Sequence, residues 1–333
     1  MKTFFITGVS GFIGFHVAKR LLEMGDKVIG VDNFDEYYSV VLKKDRVNIL
    51  EKYDNFVMCK GDLMDVLLID RIFLTYSPEY VMHFAAQDSD RYSIENPRKY
   101  LNTNIISFFN LLESAKEYNI KHLMYASSAS LYGLNNQAPF NEEMNTDYPL
   151  TIYATTKKTN ELMAYTYSHQ YKVPTTGLRL YTVYGPYGRP DMLYYKTLDN
   201  YFNNEEVSLY CDSEDCLVER EFIYIDDLVE SIIRLIDCNC TNIDPYQIID
   251  IGNNNSIRIL EFVKVMEERL AKILKKDVNF NITYNPINRA DVVKVGSIST
   301  KLKKMVDYTP STPIEVGIDE FIKWYLDYHK IKH

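Results

Sequence analysis

The sequence contains few cysteines and no segment suited to secretion or to a membrane. Its five cysteines are an odd number without the spacing of a disulfide framework, so we interpret all of them as reduced thiols. The first apolar run, residues 4–6, is cut by Thr7 and Gly8 and is too short for the core of a signal peptide. No run approaches the roughly 18 apolar residues that a membrane-spanning helix needs. We therefore predict a cytoplasmic protein with no membrane partner.

The sequence also lacks a basic stripe and a metal-binding cluster. The formal net charge of −9 argues against nucleic acid as a main partner. Cys238 and Cys240 are too close together for a C-x-x-C pair, and no histidine cluster accompanies them, so no metal site is predicted. The length of 333 residues, with 46% hydrophobic and 25% charged residues, indicates a globular protein of one large or two closely joined domains.

Strands and helices alternate along the first half of the chain. Apolar runs predict strands at residues 2–7, 27–31, 56–59, 80–84, 122–126 and 175–180, and helical periodicity predicts helices at 12–24, 41–53, 65–75, 100–118 and 151–171. This alternation favours a Rossmann-like α/β fold with a doubly wound parallel sheet. After about Thr182 the pattern breaks into loops, short strands (207–210, 221–225, 247–251) and helices (226–236, 257–272, 313–328). We therefore predict a first domain at 1–182 and a smaller, intertwined C-terminal lobe at 183–333.

A glycine cluster, Gly8-Val9-Ser10-Gly11-Phe12-Ile13-Gly14, joins the first predicted strand to the first helix. Glycines at this junction allow a tight turn and a close approach of the backbone to a pyrophosphate, and the helix N-terminus offers free N–H groups. Asp32 ends the second strand and suits the two hydroxyls of an adenosine ribose, while it would repel a 2′-phosphate. Asp62, at the end of the third strand, could contact the adenine. The pattern predicts NAD binding by the first domain.

Tyr153 and Lys157 are four residues apart in the predicted helix 151–171, so both side chains lie on one face. A tyrosine has an ordinary pKa of about 10 and is a poor base at neutral pH. We expect the lysine cation to favour the phenolate and to lower the pKa of Tyr153. The tyrosine could then take a proton from a sugar or alcohol hydroxyl.

Together these residues make the sequence similar to the extended short-chain dehydrogenase/reductase superfamily, and within it to the UDP-glucuronate 4-epimerases. The resemblance covers nearly the whole chain. The segments that carry it are the glycine cluster 8–14, Gly61-Asp62-Leu63, His83-Phe84-Ala85-Ala86-Gln87, residues 91–97, Ser127-Ser128, Tyr153 with Lys157, residues 178–192, residues 220–227 and residues 312–317.

The resemblance implies an NAD-dependent isomerase that acts on a UDP-sugar. Tyr153 would be the base, Lys157 would hold the nicotinamide ribose, and Ser128 would hydrogen-bond the reacting oxygen. Thr182 and Arg189 would lie near the sugar carboxylate. The implied cofactor-binding residues are Gly8, Gly11, Phe12, Ile13, Gly14, Asp32, Asp62, Leu63, Ala85, Gln87, Tyr153 and Lys157, and the implied substrate-binding residues are Ser127, Ser128, Ser130, Arg91, Thr182, Arg189, Arg220 and Asp291. Relatives also form dimers through the helices at 100–118 and 151–171, so we expect a homodimer.

Positions 129 and 130 favour epimerisation among the fates of a 4-keto sugar. In 4,6-dehydratases an Asp-Glu pair stands where this chain has Ala129 and Ser130, and UDP-glucuronate decarboxylases usually carry a Glu at the position of Ser130. Without a carboxylate there, the keto sugar would turn over and take the hydride back on its other face. A neutral UDP-hexose 4-epimerase, a UDP-glucuronate decarboxylase and a non-enzymatic dinucleotide sensor remain alternatives.

One departure concerns the substrate directly. Asp88-Ser89-Asp90 stands where related sequences have small apolar or neutral residues. Two acids near a sugar carboxylate would weaken its binding unless they point away or pair with Arg91. The identity of the sugar therefore depends on where these two side chains lie.

Overall fold

The computed structural model of the protein describes residues 1–134, 137–211, 215–236, 238, 245–287 and 292–332. The strands are β1 Thr3–Thr7, β2 Lys27–Asp32, β3 Phe56–Lys60, β4 Tyr80–His83, β5 His122–Ser128, β6 Thr175–Leu180, β7 Thr182–Tyr184, β8 Val207–Tyr210, β9 Glu219–Tyr224, β10 Tyr246–Ile251, β11 Ser256–Arg258 and β12 Ile282–Asn285. The α-helices are α1 Phe12–Glu23, α2 Val40–Leu50, α3 Val66–Tyr76, α4 Asp90–Glu95, α5 Pro97–Tyr100, α6 Ser107–Glu117, α7 Ile152–Tyr171, α8 Leu193–Phe202, α9 Ile225–Ile236, α10 Ile259–Leu274, α11 Thr300–Val306 and α12 Ile314–Tyr328.

A seven-stranded parallel sheet forms the centre of the molecule and confirms the predicted fold class. Its strand order is β10-β6-β5-β4-β1-β2-β3. Because the chain runs from β1 outward to β3 and then returns to β4 on the other side of β1, the order reverses between β1 and β4. Ligands of open parallel sheets bind at such a reversal, outside the carboxyl ends of the strands.

The second half of the chain is interleaved with the first. Strand β10 pairs with β6 at the edge of the large sheet, while β7, β9 and β11 form a three-stranded sheet and β8 pairs with β12. One hydrophobic cluster includes Phe15 and Leu21 from α1 together with Ile232 from α9 and Phe321 from α12. The boundary between residues 182 and 183 remains a prediction.

The helix predicted at 100–118 is interrupted. Residues Leu101–Ile106 form a π-helical segment, and the regular helix α6 begins only at Ser107. Within that segment the side chain of Asn104 is fully buried. The π segment buries the polar Asn104 and leaves Leu101 and Ile106 exposed, so apolar periodicity does not reveal this change of winding.

The interpretation of all cysteines as reduced thiols is wrong for one pair. Cys211 and Cys216 form a disulfide, and their Cα atoms lie 5.1 Å apart, a separation that a disulfide can span. Cys59 is a free thiol, Cys238 Sγ donates a hydrogen bond to the carbonyl of Met305 at 3.5 Å, and Cys240 lies outside the described residues. Over the parts of the chain that the structure describes, no helix combines the length and apolar character that crossing a bilayer requires.

Candidate active site

A cavity of about 820 Å³ lies where the strand order reverses and extends towards the C-terminal elements. Every described residue that the sequence predicted for the site lines this one cavity. They are Gly8, Gly11, Phe12, Ile13, Gly14, Asp32, Asp62, Leu63, Ala85, Gln87, Arg91, Ser127, Ser128, Ser130, Tyr153, Lys157, Thr182, Arg189 and Arg220. Asp291 lies outside the described residues. The structure therefore brings together residues that are as far as 212 positions apart in the sequence, Gly8 and Arg220.

The glycine loop between β1 and α1 fits a dinucleotide. Gly8 has a φ of +70°, and a Cβ atom there would lie 2.6 Å from the backbone N of Ala85. A Cβ on Gly14 would lie 2.2 Å from the carbonyl oxygen of Gly8, so neither position accepts a side chain. No side chain caps the N-terminus of α1, which begins at Phe12. The exposed N–H groups and the positive end of the helix dipole form a cradle for a pyrophosphate.

The acids at the ends of β2 and β3 are held rigidly at the same end of the cavity. The Asp32 carboxylate accepts hydrogen bonds from the backbone N–H groups of Ser10 (3.0 Å) and Phe34 (2.8 Å). The Asp62 carboxylate accepts from Asn33 Nδ2 at 2.8 Å and from the Met64 N–H at 2.9 Å. These bonds fix the two carboxylates at the edge of the sheet, where a ribose and an adenine could reach them.

Tyr153 and Lys157 lie near the start of α7 and are buried, as is Ser128 at the end of β5. Lys157 Nζ donates to the carbonyl of Ala126 at 2.7 Å and lies 5.8 Å from the centre of the Tyr153 ring. Ser128 Oγ accepts the N–H of Ser130 at 3.1 Å, which orients its hydroxyl. The predicted base, lysine and serine are thus assembled on one wall of the cavity.

The expectation that Lys157 lowers the pKa of Tyr153 is wrong in this structure. Burial raises the pKa of Tyr153 well above its ordinary value; the carboxylates of Asp88 and Asp90 raise it further, and Ser128 opposes them. Burial also lowers the pKa of Lys157 to about 8, against an opposing contribution from Asp88. The physical reason is that removal from water favours the neutral form of both groups and outweighs their mutual attraction.

Asp88 and Asp191 both pair with Arg189. The Arg189 guanidinium donates hydrogen bonds to Asp191 through Nε (3.0 Å to Oδ1) and through Nη2 (2.6 Å to Oδ2). It also donates through Nη1 to the Asp88 carboxylate and through Nη2 to the Asp88 carbonyl at 2.6 Å. The residue implied for the sugar carboxylate is therefore already bound to two carboxylates of the chain itself.

Asp90 hydrogen-bonds Ser130, one of the three serines (Ser127, Ser128 and Ser130) that form the serine wall of the cavity. Its Oδ2 accepts from Ser130 Oγ at 3.0 Å, and its Oδ1 accepts from Thr151 Oγ1 at 2.5 Å. Next to it, the Arg91 guanidinium lies 3.5 Å from the centre of the Tyr210 ring. A carboxylate thus reaches Ser130 from the first turn of α4, although position 130 itself carries none.

Arg220 and Thr182, two further residues predicted to bind the substrate, line the cavity and also contact neighbouring backbone segments. Arg220 Nη1 donates to the carbonyls of Glu219 (2.8 Å) and Val292 (2.7 Å). Thr182 begins β7, where it pairs in register with Phe222 of β9. These bonds hold the C-terminal strands against the cavity.

Comparisons with known proteins identify the family. The model of a family described as GDP-mannose 4,6 dehydratase matches residues 5–321. The chain belongs to that family, within the extended short-chain dehydrogenase/reductases. Among curated members, it is 42% identical over 339 residues to Protein CapI of Staphylococcus aureus, covering 98% of each chain. It is 38% identical over 345 residues to a probable UDP-glucuronate 4-epimerase of Rhizobium meliloti (strain 1021), covering 99% of this chain and 98% of the relative.

A solved member of the superfamily has the same fold. The UDP-glucuronic acid 4-epimerase of Bacillus cereus, crystallised with UDP-glucuronic acid and NAD, superposes with a TM-score of 0.87. It is 24% identical and the match covers 98% of this chain and 99% of that one. At this identity the superposition establishes the shared fold.

The sequence did not indicate two buried residues, Asn104 and Arg46, that connect segments around the cavity. Asn104 bonds the backbone of Gln87 through both its amide atoms (2.8 and 3.0 Å) and donates to Thr156 Oγ1 at 2.9 Å. Arg46 is fully buried and bonds the carbonyls of Ser10 (2.8 Å) and Tyr187 (2.7 Å). An asparagine and an arginine on predicted amphipathic helices carry no sequence signal that separates them from surface residues.

Proposed function

We propose that this protein is an NAD-dependent nucleotide-sugar 4-epimerase that interconverts UDP-glucuronate and UDP-galacturonate through a 4-keto sugar. The observation that carries the proposal is the position of Tyr153, Lys157 and Ser128, in one cavity between the glycine loop and Arg189. Relatives named as UDP-glucuronate 4-epimerases, matched over 98–99% of the chain at 37–38% identity, support the choice of sugar.

In the proposed reaction the protein moves protons and controls the orientation of the sugar. NAD, when bound by the glycine loop and Asp32, would supply the hydride acceptor. Tyr153, as the phenolate, accepts the proton of the C4 hydroxyl as the hydride leaves the same carbon, and Ser128 hydrogen-bonds that oxygen. Lys157 holds the nicotinamide ribose. After the keto sugar has turned over, Tyr153 returns the proton and the hydride arrives on the opposite face, so no net oxidation occurs.

A second function is favoured by one contact. Asp90 bonds Ser130 at 3.0 Å and so brings a carboxylate to the position where decarboxylases of the superfamily usually carry a glutamate. A UDP-glucuronate decarboxylase would release CO₂ from the same 4-keto sugar, because a ketone at C4 makes the C5 carboxylate part of a β-keto acid. The product, a UDP-pentose, distinguishes the two reactions.

The test is to incubate the purified protein separately with UDP-glucuronate, UDP-glucose and UDP-N-acetylglucosamine, without added NAD, and to resolve the products by NMR. We expect a galacturonate signal from the first substrate alone. A pentose signal, or turnover of only the neutral sugars, would overturn the proposal. Omission of NAD also tests whether the cofactor remains bound through the cycle.

The variant Tyr153→Phe separates an enzyme from a dinucleotide-binding sensor. We expect it to lose at least about 100-fold in turnover, because the base is gone, while it retains NAD. Tyr171→Phe, at the exposed end of the same helix, serves as the matched control. Equal activity of the two variants would contradict the assignment of Tyr153. A cytoplasmic location and a homodimer remain parts of this proposal.

A further inference from the structure

The hydrogen-bonding capacity of Arg189 is almost fully used within the protein. A guanidinium has five N–H donors. Among the described residues, Asp191 takes two of them in a bidentate pair, and Asp88 takes two more through its carboxylate and its carbonyl. A carboxylate from a substrate could not form two parallel hydrogen bonds with the donor that remains. The cluster also carries two carboxylates against one guanidinium, which opposes the approach of a third anion.

The two carboxylates differ in how firmly they are held. The Asp191 side chain is 19% exposed and also accepts a hydrogen bond from the Tyr37 hydroxyl at 3.2 Å. The Asp88 side chain is 48% exposed. Its backbone carbonyl bonds Arg189 independently of the carboxylate, so the side chain can rotate away without loss of that anchor. Of the two carboxylates, that of Asp88 is therefore the one that can be displaced from Arg189.

We propose that Asp88 is a displaceable internal carboxylate: an acidic sugar takes its place on Arg189, and Asp88 thereby sets the preference of the site between acidic and neutral sugar nucleotides. The inference rests on the proposed function, because it takes a hexuronate as the substrate. Asp88 is a specificity-determining residue, and its role depends on a side chain that replaces the small or neutral residue of related sequences. A neutral sugar has no carboxylate to exchange and leaves Asp88 in place.

The test compares Asp88→Asn, which keeps the shape and removes the charge, with the unchanged residue. Both are placed in the Tyr153→Phe background, so that binding of UDP-glucuronate and of UDP-glucose can be measured by calorimetry without turnover. We expect Asp88→Asn to tighten UDP-glucuronate binding about three- to fivefold, the upper part of the range for removal of one competing, partly exposed ion pair. UDP-glucose binding should stay within about twofold. Asp147→Asn removes a carboxylate that is 63% exposed and pairs with Lys158, and it controls for net charge.

Unchanged or weaker UDP-glucuronate binding, or equal tightening for both ligands, would overturn the inference. Should Asp88→Asn fold poorly, as judged by its thermal transition with NAD, Asp88→Ala provides the same comparison. The two proposals fail separately. If the unmodified protein converts UDP-glucuronate and the variant shows no selective tightening, only the exchange is wrong. If the variant tightens UDP-glucuronate selectively but the enzyme converts only neutral sugars, the proposed function is wrong and the exchange stands.

Discussion

Glu161 and Arg179 form a bidentate ion pair directly behind the serine wall of the cavity. Arg179 Nε lies 2.9 Å from Oε1 and Nη2 lies 2.8 Å from Oε2, and both side chains are at most 5% exposed. Ser127 Oγ donates to Glu161 Oε1 at 2.7 Å. The pair therefore positions a residue of the cavity although neither Glu161 nor Arg179 lines that cavity.

Breaking this pair should be costly. Glu161→Gln leaves the buried Arg179 without its counter-charge, and we expect the free energy of unfolding to fall by about 3–5 kcal/mol. Urea denaturation measures the change. The control is Glu320→Gln, which breaks an exposed pair with Lys323 and should cost less than about 1 kcal/mol. Equal losses in the two variants would show that burial of the Glu161 pair contributes nothing.

Asp250 should make the stability of the protein depend on pH. Burial raises the pKa of Asp250 to about 7, and Glu142 adds to this, while the hydrogen bond from Tyr132 opposes it. An unfolded aspartate has a pKa of about 3.9. Between these values the folded state retains a proton that the unfolded state has lost, so this contribution is fully present below pH 4 and is lost as the pH rises through 7.

The variant Asp250→Asn isolates this effect. Relative to the unmodified protein, it should remove up to about 1.4 kcal/mol per pH unit from the slope of unfolding free energy against pH between 4 and 7. Urea denaturation at several pH values gives the slope, and Asp147→Asn should leave it unchanged. A slope that is the same in all three proteins would rule out an elevated pKa for Asp250.

Arg189 and Thr182 should protect the sugar carboxylate. A carboxylate held out of line with the C4 carbonyl π system cannot leave as CO₂, and an Arg–carboxylate pair fixes orientation as well as charge. We expect Arg189→Ala to slow epimerisation about 10- to 100-fold, Thr182→Val less, and both to release some UDP-pentose. NMR of the products detects both effects. Two variants that epimerise at the unmodified rate without pentose would refute this hypothesis.

A homodimer should form through the outer faces of α6 and α7. Phe109 on α6 is 43% exposed and Leu162 on α7 is 56% exposed, although both are large and apolar. The centre of the Phe109 ring also lies 6.4 Å from that of the Tyr167 ring on α7, so the two helices lie side by side, and contiguous exposed apolar surface marks protein interfaces. We expect Phe109→Glu to convert a dimer into a monomer in sedimentation velocity. Val316→Glu, at an exposed apolar position on α12, should have no such effect. A monomeric unmodified protein would exclude the dimer.

Much of the dinucleotide end could be predicted because its determinants are local. The positive φ of Gly8 and the clash of a Cβ on Gly14 with the Gly8 carbonyl arise within seven residues, and Asp32 is the last residue of its strand. The spacing of Tyr153 and Lys157 likewise predicts a shared helix face. The pKa of Tyr153 could not be predicted in this way, because burial and the carboxylate of Asp88 come from distant parts of the chain.

The sequence by itself determined the parallel α/β fold, the glycine loop and the shared helix face of Tyr153 and Lys157, since strand alternation and residue spacing encode them; Ser128 was indicated only by the family resemblance. Only the tertiary structure decided which groups meet across long separations. Asp88 reaches Arg189, Asp90 reaches Ser130, and Arg46 joins two loops. Hydrogen bonds and ion pairs form between groups that folding brings within about 3 Å, and no local pattern records that distance.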